Sequence, residues 1–136
     1  MRYPTDDLPD LGGRTVLIAE TNPLIALDLA ETLRAWRARP LLYDNLSAAE
    51  QAAALGEICA ALVDMSQFHQ GQAGLVEALQ QHHVPIVLTT AWQLDIIGNQ
   101  FPGMTILEKP VNYAVLAQWF KELEPCAPPG QWCCTG

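Results

Sequence analysis

The sequence predicts an α/β fold in which a parallel β-sheet is covered by helices on both faces. Short, continuously apolar segments alternate with segments whose apolar residues recur every three or four positions. The apolar segments do not alternate between apolar and polar residues, which is typical of strands buried on both sides. Strands that alternate with helices are joined by right-handed crossovers, and such connections place the strands parallel.

The pattern predicts five strands and five helices. Asn22 followed by Pro23 is a favourable helix start, and Ser47 with Glu50 three residues later has the spacing of a capping box. The polar stretch 65–74 contains two glycines and predicts a loop. The strands are predicted at 15–19, 40–43, 59–63, 85–89 and 104–107, and the helices at 23–37, 47–56, 75–81, 92–97 and 111–123.

A chain of 136 residues, half of them apolar and 16% charged, is expected to form one domain with a real core. We expect this domain at 14–123, after an N-terminal extension at 1–13 and before a flexible tail at 124–136. Cys59 lies in an apolar segment and is expected to be buried. The tail cysteines lack the paired spacing of a zinc site, so reduced thiols are expected and a redox or metal role is the alternative; they are Cys126, Cys133 and Cys134.

The charge balance argues against nucleic acid and anionic membranes as partners. Fifteen acidic residues face seven basic ones, which gives a net charge of −8 and a pI near 4.6. No apolar stretch approaches the ~20 residues of a membrane span, and the acidic N-terminus does not resemble a secretory signal. A cytoplasmic location is therefore expected.

Chemically useful side chains follow four of the predicted strands. Glu20 and Asp64 are carboxylates, Thr90 carries a hydroxyl and precedes a small alanine, and Lys109 is an ammonium. Function in parallel sheets lies at the carboxyl ends of the strands. A carboxylate there can attack phosphorus, a second one can hold a divalent cation, and a hydroxyl and an ammonium can bind phosphoryl oxygens. Taken alone, each of these residues is explained as a helix cap, a strand former or a surface lysine. Their joint placement at four strand ends favours a functional site.

Residues 14–123 resemble the receiver domain of bacterial two-component response regulators. The resemblance rests on VLIAETNPLIALD at 16–28, LVD at 62–64, VPIVLTTA at 84–91 and LEKP at 107–110. It implies a flavodoxin-like three-layer sandwich with a five-stranded parallel sheet in the order 2-1-3-4-5 and five flanking helices. No single motif is specific, but the ordered set is.

The resemblance also implies roles for individual residues. Asp64 would accept a phosphoryl group from a sensor histidine kinase or a phosphotransfer protein, and Lys109 would pair with that carboxylate. Thr90 would bind a phosphoryl oxygen and move with activation. Glu20 would hold Mg²⁺ together with Asp64 and the backbone carbonyl of Ser66.

Three features depart from the family pattern. Thr21 stands where the family has a second acid, which weakens or abolishes the expected Mg²⁺ binding. Ile106 occupies the switch position, which is usually aromatic, so the usual coupled movement of ring and hydroxyl is unavailable. The loop after Asp64 lacks the family's proline and contains Phe68 and His69. These two side chains either contact a partner or belong to an ordinary exposed loop.

The resulting hypothesis is a single-domain receiver that is not an enzyme and signals to a downstream protein by contact, since no output domain is expected after residue 123. The alternative is a degenerate pseudo-receiver that binds proteins without phosphorylation; a homodimer is left open in both cases. An aspartate-nucleophile phosphohydrolase is disfavoured because Ser66 replaces its second acid, and a flavin site because Glu20 makes the first loop acidic. His69, His82 and His83 are not expected to form a metal site, and Trp92 is equally a core residue or a partner contact.

Overall fold

The computed structural model describes residues 8–43, 46–65, 70–91, 101, 103–123, 125–126 and 131–132. In these residues the helices and strands are β1 (Thr15–Ala19), α1 (Pro23–Ala35), β2 (Arg39–Tyr43), α2 (Leu46–Ala54), β3 (Ala60–Asp64), α3 (Gln70–Gln81), β4 (Ile86–Thr90), β5 (Thr105–Glu108), α4 (Tyr113–Glu122), β6 (Pro125–Cys126) and β7 (Gln131–Trp132). Strands β1 to β5 form one parallel sheet in the order 2-1-3-4-5, and β6 pairs antiparallel with β7. The predicted fold class and strand order are confirmed.

The register of the sheet brings the carboxyl ends of the central strands level with one another. Ala19 pairs with Val63, so the residues that follow them, at 20 and 64, share one edge of the sheet. Asp64 in turn pairs with Thr89 on β4. The order of the strands therefore brings Glu20 and Asp64, which are 44 positions apart in the sequence, to one edge of the sheet.

Two apolar layers cover the sheet. Helices α2 and α3 cover one face, where Leu17 and Leu88 of the sheet meet Leu79 of α3. Helices α1 and α4 cover the other face, where the fully buried Trp36 packs edge-on against Phe120. Because both faces are covered, the strands carry apolar side chains in both directions, as the sequence predicted.

The helix ends differ in detail from the prediction. The Asn22 side chain accepts hydrogen bonds from the backbone N–H groups of Leu24 and Ile25, which confirms the predicted start of α1. The helix ends at Ala35 rather than near residue 37, because the chain turns into the left-handed region at Arg37, where φ is 67°. Helix α4 begins at Tyr113 rather than at residue 111.

The largest error of the sequence prediction concerns α3. This helix begins at Gln70, although 65–74 was predicted as a loop, and Ser47 lies within α2 rather than before it. Buried apolar residues of α3 and α2, among them Leu75 and Ala53, join one core cluster, so α3 is held by packing. Tertiary packing therefore overrides the weak helix propensity of this segment. The helix predicted at 92–97 lies outside the described residues.

The N-terminal extension is part of the packed structure from residue 8 onward. Leu11 is 1% exposed and joins the core layer under α1 and α4. Its backbone N–H donates to the Trp36 carbonyl at 2.8 Å, and Gly13 donates to the Arg37 carbonyl at 2.7 Å. Among the described residues, no helix has both the length and the apolar character required to span a bilayer.

We expect Leu11→Ala to lower the free energy of unfolding by about 2–5 kcal/mol, because it leaves a cavity in a packed core. Urea unfolding followed by circular dichroism measures the loss. Leu55→Ala is the control, since Leu55 is 71% exposed, and we expect it to change stability by less than ~0.5 kcal/mol. Equal effects of the two substitutions would show that the extension is not part of the core.

Candidate functional site

An acidic pocket lies at the carboxyl-terminal rim of the sheet. Glu20 directly follows β1, Asp64 is the last residue of β3, and Thr90 is the last residue of β4. Lys109 directly follows β5. Each side chain thus stands at the end of a hydrogen-bonded strand, which gives the pocket a rigid base.

The Lys109 ammonium lies between the two carboxylates. Its Nζ atom is 2.8 Å from Glu20 Oε1 and 2.8 Å from Asp64 Oδ1. The side chains of Glu20 and Asp64 are 3% and 6% exposed, and that of Lys109 is 12% exposed. The structure therefore brings together three of the residues that the sequence singled out, in a largely dry environment where charges interact strongly.

The Glu20 carboxylate is fixed by the chain that follows it. Its Oε2 atom accepts a hydrogen bond of 3.0 Å from the backbone N–H of Asn22, the residue that caps α1. Its Oε1 atom is buried and faces Lys109, but it has no hydrogen-bond partner of good geometry within the described residues. One oxygen of Glu20 is thus anchored and the other is directed into the pocket.

Burial and pairing act in opposite directions on Lys109. Burial lowers the pKa of the amine, while its pairing with the negative charges of Asp64 and Glu20 raises it, and the net result is a pKa above the ordinary value of 10.5. The lysine is therefore protonated throughout the physiological range. A buried group of two carboxylates and one ammonium is tolerated because each charge has an opposite partner.

The backbone around the pocket is held by hydrogen bonds between neighbouring strand ends. The Lys109 N–H donates to the Thr90 carbonyl at 2.7 Å, and the Met65 N–H donates to the Thr89 carbonyl at 2.7 Å. The peptide bond between Lys109 and Pro110 is cis. The positions of Asp64 and Lys109 follow from the sheet itself rather than from a long loop.

The remaining predicted residues occupy different environments. Thr90 is buried at 1% exposure, and the small Ala91 after it is exposed. Thr21, which replaces an acid of the family pattern, is exposed beside Glu20. Ile106 is half-buried and packs on the apolar layer beneath α2 and α3.

The described residues contain no group of three or more His, Cys, Asp or Glu side chains arranged to hold a metal ion. Glu20 and Asp64 are two carboxylates without a third such group beside them in the described residues, and neither His82 nor His83 joins them. The other residues weighed in the sequence lie outside the described part of the chain, namely Ser66, Phe68, His69 and Trp92.

One contact beside the pocket is not predictable from the sequence pattern. The Tyr113 hydroxyl on α4 donates a hydrogen bond to the Asp28 carboxylate on α1. The two residues are 85 positions apart, so no local pattern in the sequence indicates the contact. A cleft of about 320 Å³ lies here, lined by both residues and by Lys109.

We expect Lys109→Met to lower the free energy of unfolding by about 3–5 kcal/mol at neutral pH, because it leaves two buried carboxylates without a counter-charge. The loss should shrink near pH ~4, where carboxylates bind protons. Urea unfolding at both pH values measures the difference. In the wild type, the raised lysine pKa means that the ammonium's contribution is complete below pH 10.5 and is lost as the pH rises through the folded-state value.

Lys121→Met is the matched control, because Lys121 is an exposed lysine in the last turn of α4. Adding Glu20→Gln to Lys109→Met should restore part of the lost stability, because it removes one of the two uncompensated charges. A loss for Lys109→Met that does not depend on pH would contradict the proposed charge balance.

Comparisons with known proteins identify the fold. No protein-family model matches the sequence, and no curated protein matches it. Solved structures do match. One is the BeF3-activated conformation of SdrG from Pseudomonas melonis, at 24% identity and a TM-score of 0.62, covering 82% of this chain and 95% of that one.

Two further matches are receiver-domain structures. The receiver domain of a sensor histidine kinase from Pseudomonas aeruginosa, with a magnesium ion in its active-site cleft, has a TM-score of 0.67 at 24% identity and covers 80% of this chain and 95% of its own. A Saccharomyces cerevisiae co-crystal structure contains the phosphotransfer protein Ypd1 and the receiver domain of Ssk1. It matches with a TM-score of 0.65 at 21% identity, covering 84% of this chain and 88% of that one. The chain therefore has the fold of the response regulator receiver domains.

Proposed function

We propose that this protein is a cytoplasmic signalling receiver that accepts a phosphoryl group on Asp64 in a two-component phosphorelay and acts through protein–protein contact. The observation that carries the proposal is the Lys109 ammonium, 2.8 Å from Asp64 Oδ1 in a pocket that also contains Glu20. The buried Thr90 ends the neighbouring strand. Nucleophile, cation and hydroxyl thus stand at one rim of a receiver fold.

The proposed chemistry is transfer of a phosphoryl group from a phosphohistidine. A carboxylate oxygen of Asp64 forms a bond to phosphorus while the bond from phosphorus to the imidazole nitrogen breaks. The other ring nitrogen of the phosphohistidine carries a proton and the electron pair of the broken bond stays on the released nitrogen, so the products are an aspartyl phosphate and a neutral histidine. In this proposal, Lys109 and Thr90 bind phosphoryl oxygens during the transfer. The role is signalling rather than turnover of a small substrate.

The donor set of the pocket fits a hard divalent cation such as Mg²⁺. Glu20 and Asp64 supply carboxylate oxygens, and Glu20 Oε1 is a buried oxygen with unused acceptor capacity. The backbone carbonyl of Ser66 is the third proposed ligand. Bound magnesium would neutralise charge on the phosphoryl oxygens. Because Thr21 is exposed and uncharged in place of an acid, we propose that the affinity for Mg²⁺ is low.

The proposed donor is a sensor histidine kinase or a phosphotransfer protein. A receiver of the same fold has been crystallised with a histidine phosphotransfer protein. On this chain, Leu24 is 77% exposed and Leu27 is 54% exposed on α1, and Leu24 lines the cleft that reaches Lys109. Exposed apolar side chains beside a reactive group favour a protein as the partner.

The second candidate function is a pseudo-receiver that binds a partner without phosphorylation. Two residues favour it: Thr21 removes a carboxylate from the pocket, and Ile106 has neither a ring nor a hydroxyl at the switch position. The ammonium of Lys109 already pairs with both carboxylates of the pocket. The two candidates predict different outcomes for the same experiment.

We expect acetyl phosphate with Mg²⁺ to add one phosphoryl group to the wild-type protein, as measured by intact mass. Asp64→Asn should take up none, because its amide is not a nucleophile. Asp28→Asn, an exposed carboxylate outside the pocket, is the matched control and should still be phosphorylated. No mass increase in the wild type, under conditions that phosphorylate an active receiver, would favour the pseudo-receiver.

We expect Thr21→Asp to increase both the affinity for Mg²⁺ and the rate of phosphorylation by roughly tenfold or more, because it adds a carboxylate to the metal site. Magnesium titration followed by NMR gives the affinity, and intact mass against time gives the rate. Thr21→Asn is the control, since asparagine has nearly the same shape as aspartate but carries no charge. If Thr21→Asp and Thr21→Asn behave alike, the missing acid does not limit the wild type.

A further inference from the structure

A side-chain hydrogen bond crosses the cleft beside the acidic pocket. Tyr113, at the first turn of α4, donates its hydroxyl proton to Asp28, in the second turn of α1. One wall of the cleft belongs to the segment from Lys109 to Tyr113, and the other wall to α1. The hydrogen bond therefore connects the two helices that flank the opening next to Lys109.

The chain between Lys109 and Tyr113 is short and held at both ends. At one end the Lys109 N–H donates to the Thr90 carbonyl at 2.7 Å. At the other end the Asn112 side chain caps α4 by accepting from the backbone N–H of Ala114 at 2.9 Å. The position of Lys109 is thus coupled to the start of α4 over four residues.

Glu20 is coupled to α1 in the same manner. Its Oε2 atom accepts from the Asn22 N–H at 3.0 Å, and the Asn22 side chain caps the helix by accepting from the Leu24 N–H at 3.0 Å. A shift of α1 would therefore move this carboxylate, and a shift of α4 would move the ammonium opposite it.

We propose that Tyr113 is a positioning residue whose hydrogen bond to Asp28 fixes the separation of α1 and α4 and thereby holds the Lys109 ammonium between Glu20 and Asp64. A lysine side chain loses considerable rotamer entropy when it is fixed, and ion-pair energy falls with distance. A contact that fixes both walls of the cleft favours the paired geometry. The functional importance of Lys109 rests on the proposed function. The position of its ammonium does not, because it can be measured without phosphorylation.

The test measures exchange of the Lys109 ammonium protons with water by ¹⁵N–¹H NMR, on the full chain without magnesium or phosphodonor. The signal is assigned by its absence in Lys109→Met. We expect a protected Lys109 signal in the wild type and exchange about three- to tenfold faster in Tyr113→Phe, the range expected for one lost hydrogen bond. Tyr43→Phe is the control, since it removes the same hydroxyl from a half-buried tyrosine on β2 and should leave the signal unchanged.

Two variants of the acceptor separate positioning from a general structural effect. Asp28→Ala removes the acceptor and should accelerate exchange as Tyr113→Phe does. Asp28→Asn keeps an oxygen acceptor at the same place and should restore slow exchange. Asp28 and the Tyr113 hydroxyl contribute little to the core, so thermal unfolding should shift by only a few degrees in all these variants.

Unchanged exchange in both Tyr113→Phe and Asp28→Ala would overturn the inference, as would an equal acceleration in Tyr43→Phe or the lack of a protected Lys109 signal in the wild type. A protected signal that responds to Tyr113→Phe, in a protein that acetyl phosphate does not modify, would support the inference and contradict the proposed phosphorylation. Failure of one proposal is therefore distinguishable from failure of the other.

Discussion

The pocket depends on one ammonium that pairs with two buried carboxylates. Glu20 and Asp64 are almost fully buried, and two such charges at one rim repel each other in a medium of low dielectric constant. Lys109, 2.8 Å from both, compensates them and remains protonated because they raise its pKa. The strand order makes this pairing possible, because β1, β3, β4 and β5 are consecutive in the sheet and their carboxyl ends lie at one edge.

The residues of the pocket could be predicted from the sequence because each of them stands at the end of a strand. A buried strand followed by a charged residue is visible in the pattern for Glu20, Asp64 and Lys109, and parallel pairing places such residues at one edge. Contacts between distant segments carry no such signal. The predicted start of α3 is wrong because the packing of α3 on α2 is a tertiary effect, and the hydrogen bond from Tyr113 joins residues 85 positions apart.

The substitution at Thr21 changes how the lysine and a metal ion share the pocket. With two carboxylates and one ammonium, the three groups carry one net negative charge. A divalent cation entering beside Lys109 would therefore meet weaker attraction than in a pocket with a third carboxylate. The same lysine that pairs with the two carboxylates opposes metal binding. Both candidate functions draw on this geometry, and they differ in whether the remaining attraction suffices for Mg²⁺.

A phosphoryl group on Asp64 would add about −1.5 to −2 charges to the pocket. Ile106 can transmit such a change only through packing, because an aliphatic side chain neither donates nor accepts a hydrogen bond. Lys109 responds to charge directly, and it is tied to α4 through the short segment that ends at Tyr113. A new acceptor on Asp64 would compete with Glu20 for the ammonium. A change of charge on Asp64 would therefore reach the start of α4 through Lys109.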